Sequence, residues 1–374
     1  MSARHRVLIL SVSAGAGHVR AAEALRAYAE LEFKQVEALH LDVMDYASGA
    51  FRKVYADAYI KLVNKHPRVW GMLYRVTSET HANATVNKMR RSVERMNTRA
   101  LRKRIDEFAP DAIVCTHFLP AEILMHEIRR GRLQIPVWVQ VTDFDLHSMW
   151  VIPHMTGYFA GNEEVAFRMR KLELPSVHVS GIPIMPVFAQ ALDRAQCARE
   201  LGLDPARRAL LLMGGGAGVG KLTEVAESLL ALDADFQLIV LAGKNAEALG
   251  ELQRLAKAYP ARLFPRGYTD RIERLMACAD LAITKPGGLT SSECLAMSLP
   301  MIVHSPIPGQ EERNADYLTE QGAALKAVDA VGMEFRVGEL LAVPEKLPRM
   351  RERARALARP HAAREVLRIV LAGS

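Results

Sequence analysis

Two stretches of the chain carry one pattern of apolar and polar positions. Residues 6–18 run Arg-Val-Leu-Ile-Leu-Ser-Val-Ser-Ala-Gly-Ala-Gly-His, and residues 208–220 run Arg-Ala-Leu-Leu-Leu-Met-Gly-Gly-Gly-Ala-Gly-Val-Gly. Each begins with an apolar run, which a glycine loop breaks. Helical periodicity follows: Ala21, Leu25, Tyr28 and Leu31 recur at spacings of three and four after the first loop, and residues 221–232 read as a helix after the second. Apolar runs without alternation suit strands buried on both faces. Further strands are expected at 36–41, 111–116, 136–141, 157–160, 177–180, 237–242, 280–284 and 300–304, with helices between them. Strands alternating with helices predict an α/β chain with parallel sheets, here two Rossmann-like domains. The junction is placed at Gly181-Ile-Pro-Ile-Met-Pro-Val-Phe188, where two prolines and a glycine follow a strand. The expected domains are 1–184 and 185–359. The chain is expected to be helical after Pro348 and to break at Pro360. A last amphipathic helix, 361–371, would pack back on the first domain, so that 360–374 belongs with it.

Composition narrows the class. The chain has 374 residues, 50% hydrophobic and 24% charged, which excludes disorder, collagen-like repeats and coiled-coil rods as the main architecture. No apolar run approaches the roughly 18 residues of a membrane span. The start lacks an apolar leader segment, so no secretory signal is expected. Cys115, Cys197, Cys278 and Cys294 show no CxxC spacing and read as buried thiols in a reducing cytoplasm. The net charge of +7 is localised. Residues 51–105 hold 14 Lys/Arg and 3 Asp/Glu, a net of +11, and the remainder of the chain carries −4. Such a segment suits a polyanionic surface.

The residues with chemical potential fall at expected strand ends. In Ser13-Ala-Gly-Ala-Gly-His18, Gly15 and Gly17 are expected to allow tight turning and close ligand approach. The helix that follows offers free N–H groups to an anion. His18 near that helix start stays neutral at pH 7 and can accept a proton; a capping or packing role is the alternative. Gly214-Gly-Gly-Ala-Gly-Val-Gly220 is not a P-loop, because Lys221 precedes Leu222, and it lacks the dinucleotide spacing. A phosphate-bearing ligand and a purely structural loop both remain open there.

In Ile283-Thr-Lys-Pro-Gly-Gly-Leu-Thr-Ser-Ser-Glu293 a strand ends at Lys285 and a Pro286-Gly287-Gly288 turn follows. Thr290 is expected to cap the next helix, with Thr290-Ser-Ser-Glu293 forming a capping box. The other reading gives Lys285, the glycine N–H groups and the helix start to phosphate, and Glu293 to a ribose diol. After strand 300–304, Gln310 and Glu311 rise from a proline-stiffened loop and could bind sugar hydroxyls, or simply be exposed. Asp143-Phe-Asp145 matches a DxD metal motif only superficially, and no His/Cys/Asp cluster has zinc spacing. His147 and Trp150 are candidates for a cleft between the domains, or for packing.

Together these motifs resemble a known family. Ser13 to Leu25, Val141-Thr-Asp-Phe-Asp-Leu-His-Ser-Met-Trp150, Asp280 to Glu293 and Pro308-Gly-Gln-Glu-Glu-Arg-Asn-Ala315 are similar, in order, to the motifs of monogalactosyldiacylglycerol synthases and processive diacylglycerol glucosyltransferases, in glycosyltransferase family 28. The resemblance covers about residues 7–318. It implies the GT-B fold, two Rossmann-like domains whose parallel sheets face an interdomain cleft. It also implies inverting, metal-independent transfer of a hexose, glucose or galactose, from a UDP-sugar to diacylglycerol, with no cofactor beyond that co-substrate. By position, His18 matches the general base, and Gly214, Gly215 and Gly216 match the phosphate loop. Arg266, Gly267 and Tyr268 fall where backbone holds uracil. Lys285, Gly287, Gly288 and Thr290 fall in the donor site, Glu293 at the ribose, and Gln310 and Glu311 at the hexose. The chain departs from the family at Ala14 and Ala16, where glycine is common, and near Thr156, where an acidic residue is usual.

The basic stretch then reads as a membrane-docking segment. Phe51, Tyr55, Tyr59, Trp70 and Tyr74 alternate with Lys53, Lys61, Lys65, Arg68 and Arg75, which suits an anionic lipid surface on the inner face of the plasma membrane. No RNA-binding motif is present, and nucleic acid is not an expected partner. A polyprenyl-linked acceptor, a UDP-sugar epimerase and a non-catalytic nucleotide-sugar sensor are the other readings.

Overall fold

The computed structural model describes residues 5–13, 15–47, 99–214 and 222–373. Ala14, Gly215, Gly216 and most of the basic stretch, residues 51–98, lie outside the described residues. The chain forms two compact units. The first is Met1–Pro186 with Ile307–Asn314 and Arg359–Ser374; the second is Val187–Pro306 with Ala315–Ala358.

The first unit is built on a six-stranded sheet of β1 (His5–Ser11), β2 (Val36–Asp42), β3 (Ala112–Cys115), β4 (Val137–Gln140), β5 (Gly157–Ala160) and β6 (Val177–Val179). The order is β2-β1-β3-β4-β5-β6, and every pair is parallel. Its helices are α1 (Ala16–Glu32), α2 (Arg99–Phe108), α3 (Phe118–Arg129), α4 (Glu163–Lys171) and, from the far end of the sequence, α13 (Ala362–Ala372). The period-two geometry of a strand divides β1 between two cores. Leu8 and Leu10 pack with Ile105, Leu119 and Leu124, while Val7 and Ile9 pack with Leu25, Tyr28, Val366, Leu367 and Val370. Of the four periodic positions expected to face inward on α1, Ala21, Leu25 and Tyr28 are buried, but Leu31 is 54% exposed. It lies in the last turn of the helix.

The return of the chain to the first unit has a specific basis. Burying Val366, Leu367 and Val370 contributes roughly 1.5–3 kcal/mol each. The two-pronged Arg364–Glu32 pair, at 2.5 and 2.6 Å, is exposed and contributes about 1 kcal/mol or less. Apolar burial therefore holds α13, and the ion pair and the bond from Tyr28 Oη to the Pro360 carbonyl, 3.1 Å, set its placement. Gly181 makes the approach possible. Its φ is +87°, and a Cβ there would lie 2.5 Å from Arg359 Cβ.

The second unit repeats the plan with β7 (Ala209–Met213), β8 (Gln237–Leu241), β9 (Leu263–Arg266), β10 (Leu281–Thr284), β11 (Met301–His304) and β12 (Ala324–Ala327), ordered β12-β11-β10-β7-β8-β9 and all parallel. Its helices are α5 (Arg194–Glu200), α6 (Leu222–Leu230), α7 (Ala246–Ala256), α8 (Ile272–Cys278), α9 (Gly288–Ala296), α10 (Gln310–Glu320), α11 (Ala330–Ala342) and α12 (Lys346–Leu357). The start of α10, through Asn314, groups with the first unit. α12 begins before Pro348, which sits in its first turn, where the missing N–H costs nothing. The pattern of apolar runs did not predict β9 and β12. Both are edge strands, where burial is partial; β9 contains Pro265 and β12 reads Ala-Leu-Lys-Ala.

In both sheets the strand order reverses beside the first strand of the unit. The crevice lies between the carboxyl ends of β1 and β3 in one unit, and of β7 and β10 in the other. Open α/β sheets bind ligands at such points. All four cysteines are buried and free. Among the described residues no helix is long and apolar enough to cross a membrane, and no group of three His, Cys, Asp or Glu is placed to hold a metal ion.

Candidate active site

His18 stands at the first reversal point as the third residue of α1. The N-cap, Gly15, is extended at φ −162°, and among the described residues a Cβ on it would meet only His18 Cδ2 at 4.0 Å. The expected need for glycine conformational freedom is therefore not found at Gly15, whose backbone is extended. Gly17 is the second residue of α1.

His18 Nδ1 lies 3.0 Å from the Thr116 carbonyl oxygen and 2.9 Å from Thr142 Oγ1. A carbonyl only accepts, so Nδ1 carries the hydrogen and Nε2 carries the lone pair. Thr116 also donates its hydroxyl to the His18 carbonyl at 2.9 Å, tying the start of α1 to the end of β3. His18 is half-buried. Loss of hydration lowers the imidazole to about 4, with the Thr116 bond acting in the other direction. The ring is thus neutral at pH 7 and basic at Nε2.

Aromatic rings wall this histidine. His117 stands edge-on with centroids 4.5 Å apart, and Trp150 lies at 6.2 Å. Phe118 packs 4.0 Å from His117 and 5.8 Å from Trp150. His117 accepts the Leu119 N–H on Nδ1 at 3.0 Å, capping α3, and burial keeps its imidazole well below the usual histidine value. The structure therefore brings Trp150 to His18. The expected companion, His147, is buried and uses Nδ1 to accept the Met149 N–H at 3.2 Å. Thr116, His117, Phe118 and Thr142 were not among the residues picked out from sequence. Their signal is position: each lies just past the end of β3 or β4.

Asp143, next to Thr142, accepts from Asn314 Nδ2 at 3.2 Å, while Asn314 Oδ1 accepts the Phe144 N–H at 2.8 Å. Burial raises the Asp143 carboxyl to about 6, and Glu311 and Asp145 add to the rise against the Asn314 bond. Gln310 and Glu311 open α10. Glu311 Oε2 accepts the Ile307 N–H at 2.6 Å and Glu312 Oε2 the Gly309 N–H at 3.0 Å, so these carboxylates fold the loop back on its own helix start.

In the second unit Lys285 follows β10 and Gly287 caps α9 without any side-chain hydrogen bond. Thr290 is not the cap, and Thr290-Ser-Ser-Glu293 is not a capping box, because the cap is Gly287, three residues earlier than the pattern suggested. Gly287 brings no side chain to the first N–H groups of α9, and a helix start in that state favours an anion. Glu293 is buried on the same helix. Across the parallel ladder, where Thr284 pairs with Val303, His304 ends β11 beside Lys285. Burial first and Lys285 second lower His304 to about 4, and its Nε2 is buried with no partner among the described residues. Gly214 is buried after β7. The Arg266 carbonyl accepts the Ala242 N–H at 2.9 Å and its guanidinium donates to the Leu201 carbonyl at 2.5 Å. Gly267 packs near Leu249, and Tyr268 is 68% exposed beneath Lys244 Nζ at 5.2 Å.

The profile of the monogalactosyldiacylglycerol (MGDG) synthase family matches residues 18–184, starting at His18, and that of the glycosyltransferase family 28 C-terminal domain matches residues 209–364. A processive diacylglycerol beta-glucosyltransferase of Bacillus licheniformis is 30% identical over 362 residues, covering 96% of this chain and 92% of the relative. The chain belongs to the MGDG synthase and diacylglycerol glucosyltransferase family. This glycosyltransferase also shares its fold with a UDP-glucosyltransferase of Polygonum tinctorium, at TM-score 0.64, 15% identity and 99% coverage of both chains. MurG of Acinetobacter baumannii matches at TM-score 0.60 and 13% identity, over 98% of this chain and 99% of that one. The family member thus has the GT-B fold.

Proposed function

We propose that the protein transfers a hexose, glucose or galactose, from a UDP-sugar to the hydroxyl of diacylglycerol, with inversion, to give a β-glycolipid. The observation that carries this reading is the fixed tautomer of His18, a neutral imidazole with its lone pair on Nε2. The second unit takes the UDP-sugar, with Lys285 and the start of α9 meeting the pyrophosphate and Glu293 the ribose hydroxyls. Gln310 and Glu311 bind the hexose. Nε2 takes the proton of the acceptor hydroxyl as its oxygen bonds to the anomeric carbon from the face opposite UDP, and UDP leaves with the electron pair of the broken C–O bond. A base of low pKa suffices, because the acceptor oxygen becomes strongly acidic once it bonds to carbon. In this reading fixed dipoles and Lys285 stabilise the leaving group, without a metal ion. Relatives named as diacylglycerol beta-glucosyltransferases support the acceptor class.

The membrane contact in this reading is residues 51–105, on the inner face of the plasma membrane. At roughly 1 kcal/mol per surface Lys/Arg, four engaged charges suffice to matter. The test is UDP release from a panel of UDP-sugars, with and without diacylglycerol in anionic vesicles. Lipid-dependent release with a glycolipid product is expected, weakened by salt and by neutral vesicles. His18→Ala should lower turnover about 10²–10⁴-fold with UDP affinity near normal. Release or sugar interconversion without lipid would overturn the transferase reading, and binding without turnover would make the protein a sensor.

A further inference from the structure

The ring of His18 is held between two strand ends that are far apart in sequence, and one of its holders is a side chain. Thr142 lies just past β4, is 4% exposed, and places Oγ1 2.9 Å from Nδ1. Thr116, just past β3, places its carbonyl oxygen 3.0 Å from the same nitrogen. Among the described residues no carboxylate is hydrogen-bonded to His18. We propose that Thr142 is the positioning residue of the base: its hydroxyl oxygen and the Thr116 carbonyl share the Nδ1 hydrogen and fix the ring in one tautomer and one orientation, in a dyad that contains no acid.

The geometry excludes the other arrangements. Turning the ring by 180° would put the carbon Cδ2 where Nδ1 stands and forfeit both contacts. Moving the hydrogen to Nε2 would set the Nδ1 lone pair against a carbonyl lone pair at 3.0 Å, leaving that buried acceptor unsatisfied. The carbonyl alone is not a sufficient clamp, because it belongs to the backbone segment that α1 itself is tied to through the Thr116 hydroxyl. Thr142 anchors the ring to a different strand. A carboxylate in its place would orient the ring equally well, but its charge would favour the imidazolium before substrate arrives. A hydroxyl orients without charging, so the base enters each cycle neutral.

This inference rests on His18 being the base, and three variants with one control test it. Thr142→Val removes the oxygen at nearly constant volume, Thr142→Ser keeps it, and Thr142→Asp adds a charge. Each is assayed for kcat, for donor KM, for UDP affinity and for the pH dependence of kcat/KM, beside His18→Ala. Thr142→Val should lower kcat about 10- to 100-fold with donor KM and UDP affinity unchanged. Thr142→Ser should recover most of that loss. Thr142→Asp should shift the acid limb of kcat/KM to higher pH, because a carboxylate at the Oγ1 position, 2.9 Å from Nδ1, favours the imidazolium. The loss of kcat at unchanged KM in Thr142→Val and its recovery in Thr142→Ser are the readouts that a merely structural side chain would not move. Wild-type kcat in Thr142→Val, equal loss in Thr142→Ser, or an unmoved acid limb in Thr142→Asp overturns the proposal while an inactive His18→Ala leaves the base reading intact. An active His18→Ala overturns both.

Discussion

The carbonyl oxygen of Thr116 lies 3.0 Å from Nδ1 of His18, and that contact decides which nitrogen of the ring is basic. In the proposed mechanism that nitrogen serves as the base only while the ring is unprotonated. Burial has lowered the imidazole to about 4, so protonation, which removes the lone pair, begins far below the ordinary histidine value. The expected outcome is a kcat/KM that stays level from pH 7 to about 5 and falls as the pH approaches 4. An acid limb centred near 6.5 would show that His18 is either solvated or not the base.

The folded protein should begin to lose stability at a higher pH than the activity does. His18 and His304 are lowered to about 4, His117 lies well below its usual value, and His40 and His178 are lowered as well. The unfolded chain binds protons on these rings near 6.5 and the native one does not, so their contribution is intact above about 6.5 and is lost as pH falls towards 4. Asp143 acts in the opposite sense. Its raised carboxyl, at about 6, takes a proton in the native state first and adds stability as pH falls below that value. One carboxyl opposes five imidazoles, so the urea midpoint should drop between pH 7 and pH 5. A constant or rising midpoint would contradict the burial of these rings.

Gly181→Ala should be among the costlier single-methyl substitutions. The backbone at φ +87° disfavours any side chain, and the new methyl would lie 2.5 Å from Arg359 Cβ. A loss of about 2 kcal/mol or more is expected, read from denaturant unfolding. Gly202→Ala is the control: it shares a positive φ, +70°, but no described residue lies within 4 Å of its Cβ, so it should cost about 1 kcal/mol from backbone strain alone.

Lys285 and Glu293 should separate the two ends of the nucleotide. Lys285→Ala should weaken UDP about 10-fold or more and leave uridine unaffected, since only the former carries phosphate. Glu293→Ala should weaken both by similar factors, because both carry the ribose. Titration calorimetry with the two probes checks this. If uridine loses affinity in Lys285→Ala, the lysine is not at the phosphates.

Much of this architecture was legible because buried parallel strands are written as continuous apolar runs. Val7–Leu10 and Leu210–Met213 could hardly be anything else, and the glycines after them marked the turns. Leu263-Phe-Pro-Arg266 and Ala324-Leu-Lys-Ala327 were not legible, because edge strands need be apolar on one side only and tolerate Pro265 and Lys326. In the candidate active site, sequence singled out His18 and Trp150 but not what orients the former. The Thr116 and Thr142 contacts span 98 and 124 positions, and only the strand order brings them to one ring. Capping chemistry misled at Thr290, where a capping-box pattern lies inside a helix that glycine starts.

The place of α13 has a consequence for biosynthesis. The surface of Ile9, Leu25 and Tyr28 is covered by residues of α13, which are made after the second unit. At about 5–20 residues per second, on the order of ten seconds or more separate synthesis of residue 186 from that of Val366. During that interval the amino-terminal unit carries an uncovered apolar face on the ribosome. The two halves therefore cannot mature strictly in the order in which they are translated: the first unit closes only after the second has emerged, and the nascent chain must keep that face from other partners until it does.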